Sequence, residues 1–259
     1  MTVKPRIAFA GDRDIAVWVL DYLLERGCAP AALLVSGSER ASHAGELQAR
    51  LPDLPASQVL QGAAFRTSAG RELLASLDLE YIVAVHFPYI FPSEVLSVPR
   101  IGVLNLHPAF LPYNRGWHTA SWAILEGSPI GATLHFMDEG VDTGDVVHQR
   151  RIEVEPDDTA DSLYQRLKRL ELEVFREAWP SLEGGTVHRT PQPQGHGVTH
   201  AKADLLKPDV QRIDCDATVR AGDLLRKLRG LTTNDVAEAA WFEADGARYR
   251  VQVSIHRER

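Results

Sequence analysis

The chain reads as an α/β protein: a Rossmann-like, mostly parallel sheet with helices on both faces, followed by a small α+β C-terminal subdomain. Three observations lead there. Short apolar, β-prone runs alternate with stretches of helical periodicity over residues 6–178. The opening run at residues 6–10 is followed by Gly11 and then by Ile15, Trp18, Val19, Tyr22 and Leu23 at helical spacing, a strand-turn-helix unit. Composition then changes at residues 184–199, where Gly, Pro, Gln, His and Thr dominate, and a further helix and a hairpin signal lie beyond.

Asp12 or Asp14 is the expected cap of the first helix, and Gly27 lies past its end. A second strand is expected at 31–35, a helix at 45–50, a short strand near Val59, a helix at 68–77 and strands at 81–85 and 101–106. Strands that alternate with helices in this way build a parallel sheet. Residues 118–125 read as a helix, and 131–137 and 146–154 as strands. Leu163, Leu167, Leu170, Val174 and Ala178 mark a long amphipathic helix capped by Asp158 or Thr159, its apolar stripe serving the core. Past the composition change come a helix at 217–230 and a hairpin in which Trp241, Phe242, Tyr249, Val251, Val253 and Ile255 flank Asp245-Gly246. The expected division is a first domain over 1–185, a linker over 186–203 and a C-terminal subdomain over 204–259.

A chain of 259 residues, 44% hydrophobic and 24% charged, is long enough for one substantial core and a smaller appendage. Its net charge of −7 argues against a polynucleotide surface, so no nucleic-acid partner is expected. Residues 1–6 lead straight into a strand, and no run approaches the roughly 20 apolar residues of a membrane span, so a cytoplasmic protein with no membrane partner is expected. Two cysteines, Cys28 and Cys215, make no disulfide framework, and the ten histidines show no metal-ligand spacing, so no metal is expected. Gly11 stands alone where a dinucleotide fold has three glycines, and the second strand runs into Ser36-Gly37-Ser38 rather than an acidic residue. Gly11, Asp12 and Arg13 still suit a phosphate contact through backbone amides and a guanidinium; the alternative is a capped helix with a solvated arginine.

The chemistry concentrates in Asn105-Leu106-His107-Pro108, then Leu111-Pro112 and Arg115-Gly116, then 138–144, which reads Asp-Glu-Gly-Val-Asp-Thr-Gly. Side chains two apart on a strand share a face, so Asn105 and His107 point the same way at its carboxyl end, where Pro108 stops it. Ligands bind at such strand ends in open α/β sheets. An amide donor, an imidazole and a carboxylate are what acyl transfer to an amine requires: an oxyanion develops and the attacking nitrogen loses a proton. The chain has no Gly-x-Ser-x-Gly elbow, and neither cysteine has a histidine neighbour in sequence. Taken singly, a histidine before a proline, or Asp-Thr-Gly, is an ordinary structural feature. Their joint order and spacing point to a site.

From about residue 81 to 144 the chain resembles the formyltransferases that use 10-formyltetrahydrofolate, which carry Asn-x-His, Leu-Pro, a following glycine and a loop ending in Asp-x-Gly. The resemblance implies that Asn105 and His107 hold the formyl oxygen as it becomes an oxyanion, and that Asp142 orients and charges His107 and helps remove the amine proton. It also implies a folate site built largely from backbone at 85–92 and 138–142, naming Val85, His86, Phe87, Tyr89, Ile90, Phe91, Asp138 and Gly140. Two prolines and the aromatic residues of 85–92 suit a stiff apolar wall for a flat ring. The tail, with 228–232 leading into the Trp-Phe hairpin, is most similar to the nucleotide-linked amino-sugar N-formyltransferases. That likeness implies a nucleotide-linked amino sugar as acceptor; a homodimer is also expected, and acceptor contacts are expected from Gly11, Asp12, Arg13, Pro112, Asn114, Arg115 and Gly116, the arginines because a guanidinium grips phosphate oxygens at two points. The alternatives are a methionyl-tRNA formyltransferase, a 10-formyltetrahydrofolate hydrolase and a non-catalytic nucleotide-binding module.

Overall fold

The computed structural model describes residues 4–39, 42–193, 195 and 197–258. The first three residues of the chain, and Gln194 and His196 of the expected linker, lie outside that description. In chain order the elements are β1 (Ile7–Gly11), α1 (Arg13–Glu25), β2 (Ala32–Val35), α2 (Ala44–Ala49), β3 (Val59–Gln61), α3 (Ser68–Ser76), β4 (Tyr81–Val85), α4 (Ser93–Leu96) and β5 (Gly102–His107). Then follow β6 (Arg115–Gly116), α5 (Thr119–Glu126), β7 (Ile130–Phe136), β8 (Val146–Ile152), α6 (Ala160–Glu183), β9 (Thr199–His200), α7 (Pro208–Gln211), α8 (Ala221–Gly230), β10 (Ala240–Ala244) and β11 (Ala247–Val251).

Seven strands form one sheet in the order β3-β2-β1-β4-β5-β7-β8. The pairings of β1, β2, β3, β4 and β5 are parallel, and β5 pairs with β7 antiparallel. Every residue of β1, β2 and β4 is buried, which requires cover on both faces and explains their unbroken apolar runs. One layer of core joins Ala8, Ala10, Leu34, Ile82 and Val103 to Phe65, Leu74 and Val95. The strand order reverses between β1 and β4, the kind of switch point at which open α/β sheets form a crevice.

Compactness divides the chain into interleaved units: 1–107 with 133–149 and 171–192 form one, and 108–132 with 150–170 and 193–259 form the other. This differs from the expected linear break at 185, because the chain leaves the first unit right after the motif strand and returns along β7. The segment expected as a linker is also structured: β9 pairs in parallel with β6 inside the second unit. In that unit α8 starts at Ala221 rather than 217, and the hairpin's second strand ends at Val251 rather than 255. Asp245 and Gly246 carry it through a two-residue turn with φ of 51° and 75°. That is the primed geometry the dipeptide favours. Trp122, Leu205, Leu231 and Ala240 form a core of the second unit. Among the described residues no helix is long and apolar enough to cross a membrane.

The N-terminus of α1 directly follows β1, one of the two strands at the switch point. Asp12 is buried, and its carboxylate accepts hydrogen bonds from the backbone of Arg13, Ser42 and His43 and from the hydroxyls of Ser36 and Ser42, at 2.8 to 3.2 Å. Asp12 thus ties the helix start to the loop after β2. Burial alone raises its pKa, but these donors outweigh that and hold the carboxyl below the ordinary value. A depressed folded-state pKa contributes stability that is complete above the unfolded value of about 4 and is lost as the pH falls through the folded value. Asp12→Ala is therefore expected to lower unfolding stability by about 1–3 kcal/mol at pH 7 in urea titrations, with the gap from the parent narrowing as the pH falls below the ordinary carboxylate range.

Candidate active site

Asn105 and His107 stand at the carboxyl end of β5, with Leu106 turned into the core between them. Opposite them, β7 runs antiparallel, so that Asn105 faces His135 and His107 faces Thr133. The chain then turns through 138–144. Asp138 accepts hydrogen bonds from the Gly140 amide at 3.0 Å and the Thr143 hydroxyl at 2.6 Å, so the loop closes on itself. A side chain at Gly144 would put its Cβ 1.9 Å from the carbonyl oxygen of Phe136, which is why the motif ends on glycine. Asp142 sits in the left-handed region, φ 53°.

These elements bring the three expected catalytic side chains together. Asn105 Nδ2 donates to Asp142 Oδ1 at 3.2 Å, and Asp142 Oδ2 lies 3.5 Å from His107 Nε2. One carboxylate thus addresses both partners, one oxygen each. The distance to His107 is that of an ion pair rather than of a short hydrogen bond. His107 and Asp142 are nearly closed off from solvent, so their interaction is weakly screened.

His135 completes the group, and sequence reasoning missed it. Its Nδ1 lies 2.8 Å from the carbonyl oxygen of Phe136, which can only accept, so Nδ1 carries a proton. Nε2 lies 3.2 Å from Asn105 Nδ2 and, in the neutral ring, accepts from it. The buried imidazole therefore orients the Asn105 amide. The available signal was a histidine in the strand leading to the Asp loop, seven residues before Asp142; only the register shows that it faces Asn105.

The expected folate residues divide by environment. Val85 ends β4 and is buried, Phe91 is in the core, and Ile90 is 76% exposed. Phe87, Tyr89 and Phe91 pack around Phe65, with ring centroids 5.1–6.1 Å from it. The Tyr89 hydroxyl accepts from the Gly37 amide at 3.0 Å. His86, at φ 51°, turns its ring toward helix α6, where Nε2 meets Glu171 Oε1 at 2.8 Å. Glu171 is fully buried, and a buried carboxylate needs such a partner. His86 thus spends its side chain on the fold.

Among the expected acceptor contacts, Asp12 is committed to capping, and Arg13 is exposed beside it. Gly11 ends β1 in the first unit, and the others belong to the second unit. Leu111-Pro112 is a cis peptide. Asn114 is buried, donating to the carbonyl of Pro129 and accepting from Ser128, each at 3.0 Å, so its amide holds the loop. Arg115 and Gly116 form β6; at Gly116, φ is 87° and a Cβ would lie 2.3 Å from the His200 carbonyl oxygen, so only glycine permits the pairing. Among the described residues no group of three or more His, Cys, Asp and Glu side chains is placed to hold a metal ion.

A Rossmann-like sheet that joins an amide, an imidazole and a carboxylate at one strand end suits acyl transfer, and comparison with known proteins gives the family. Residues 6–179 match the formyl transferase family and 208–257 match the N-formyltransferase dimerization C-terminal domain; the chain belongs to the formyl transferases and is an enzyme of formyl transfer. It is 34% identical to the methionyl-tRNA formyltransferase of Myxococcus xanthus over 88% of this chain and 73% of that protein. It is 29% identical to the dTDP-4-amino-4,6-dideoxyglucose formyltransferase of Mycobacterium bovis over 81% of this chain and 84% of that protein. A solved sugar N-formyltransferase from a Shewanella species shares the fold at TM-score 0.82 and 20% identity, covering 98% of this chain and 99% of that one.

Proposed function

We propose that the enzyme moves a formyl group from 10-formyltetrahydrofolate to the amine of a nucleotide-linked amino sugar, with Asn105, His107 and Asp142 as catalytic residues. The convergence of those three side chains at the end of β5 carries the reading. Bound folate supplies the activated formyl group. Asn105 and His107 donate toward the formyl oxygen as negative charge develops on it. Both Asn105 amide hydrogens are engaged in this state, so one swings from His135 or Asp142 to do so. Asp142 and His107 accept the proton lost by the amine and return one to the leaving nitrogen. Residues 87–91 fit a flat ring, since the Phe65 cluster stiffens them and Ile90 projects outward.

The acceptor assignment is supported by likeness and charge: a dTDP-amino-sugar formyltransferase is among the relatives, a sugar N-formyltransferase shares the fold over nearly the whole of both chains, and the net charge of −7 is unfavourable for a polyanion. The 34% identity to the tRNA enzyme favours the second reading, tRNA formylation. A homodimer through residues 208–257 belongs to the proposal, supported by the dimerization-domain match and by Val219, Leu225, Val236 and Tyr249, all about half exposed. Incubation with 10-formyltetrahydrofolate and a panel of dTDP-, GDP- and UDP-linked amino sugars, methionyl-tRNA and glycinamide ribonucleotide should add one formyl mass to a sugar. Preferential formylation of tRNA would overturn the acceptor assignment, and its steep loss with salt would give the reason.

A further inference from the structure

Residues 186–192, expected as part of a linker, are fastened to the strands and loop of the site. Arg189 donates to the carbonyl of Ile101 just before β5 at 2.7 Å and lies 3.5 Å over the ring of Phe136 at the end of β7. Thr190 exchanges two backbone hydrogen bonds with Val146, at 2.8 and 2.9 Å. Gln192 reaches the catalytic loop itself: its Nε2 donates to the carbonyl of Asp142 at 2.9 Å and to that of Gly144 at 2.8 Å. One amide nitrogen thus spans two carbonyls that flank a single residue. Asp142 meanwhile holds the left-handed backbone conformation, φ 53°, which Asp enters more readily than most residues but which neighbouring contacts still help to select.

We propose that Gln192 is a positioning residue for Asp142: by fixing the Asp142 and Gly144 peptide planes it aims the carboxylate so that one oxygen meets Asn105 and the other His107. The proposal rests on the reading of Asp142 as catalytic. Gln192 acts through the loop carbonyls rather than on the reacting atoms.

The test uses the full chain. Q192M keeps the side chain's length and removes both donors. Its crystal structure should show Asp142 leaving the left-handed region and its carboxylate drawn away from Asn105 and His107; an unchanged Asp142 would overturn the proposal whatever the activity. With 10-formyltetrahydrofolate and the acceptor identified by the panel, kcat should fall about tenfold or more while both KM values stay within about threefold. In a D142A background the same substitution should change turnover by less than about twofold, because the group it positions is gone. Equal proportional losses in both backgrounds would overturn the proposal. Should Q192M fail to fold, Q192K, which can donate, is expected to retain more turnover than Q192E, which cannot, and equal turnover would count against it. Wild-type turnover in D142A would instead remove the catalytic reading of Asp142, a result distinguishable from failure of the positioning role.

Discussion

Replacing His107 by alanine is expected to lower turnover by a factor of about a hundred or more while the chain stays folded. The ring nitrogen lies 3.5 Å from Asp142, and His107 stands two residues after Asn105 on the same strand, so under the proposed mechanism its loss removes both an oxyanion donor and a proton carrier. Asn105→Ala and Asp142→Ala are expected to act in the same range, since the three side chains form one connected group and such groups are strongly non-additive. Because these roles belong to the transition state, the binding of a reduced folate, read by thermal shift, should survive in all three variants. Near-normal turnover in His107→Ala would refute the catalytic assignment.

Phe65→Ala is expected to be among the most destabilising single changes in the first unit, at about 3–5 kcal/mol, because it empties a fully buried ring site. Its effect should extend to function. Phe65 is the common contact of Phe87, Tyr89 and Phe91, so its removal loosens the stretch assigned to the folate ring. Denaturant titration should report the loss of stability, and the KM for 10-formyltetrahydrofolate should rise more than kcat falls. A large stability loss with an unchanged folate KM would detach residues 87–91 from folate binding.

Local patterns along the chain determined a great deal. The strand at Tyr81–Val85, the helix behind Asp12, the turn at Asp245-Gly246 and the shared face of Asn105 and His107 all follow from period, cap and turn chemistry within a few residues. Those rules are short-range, so sequence alone carries them. Only the tertiary structure decided what depends on which distant segments meet. The antiparallel return of β7 puts His135 against Asn105, and helix α6 takes up the His86 side chain through Glu171. The Asp12 carboxylate is filled by donors from 36–43, and a presumed linker delivers Gln192 to the Asp142 loop. Strand register and the pairing of buried polar groups are set by the packing of the whole core, because a buried donor or acceptor can pair only with what the fold brings beside it.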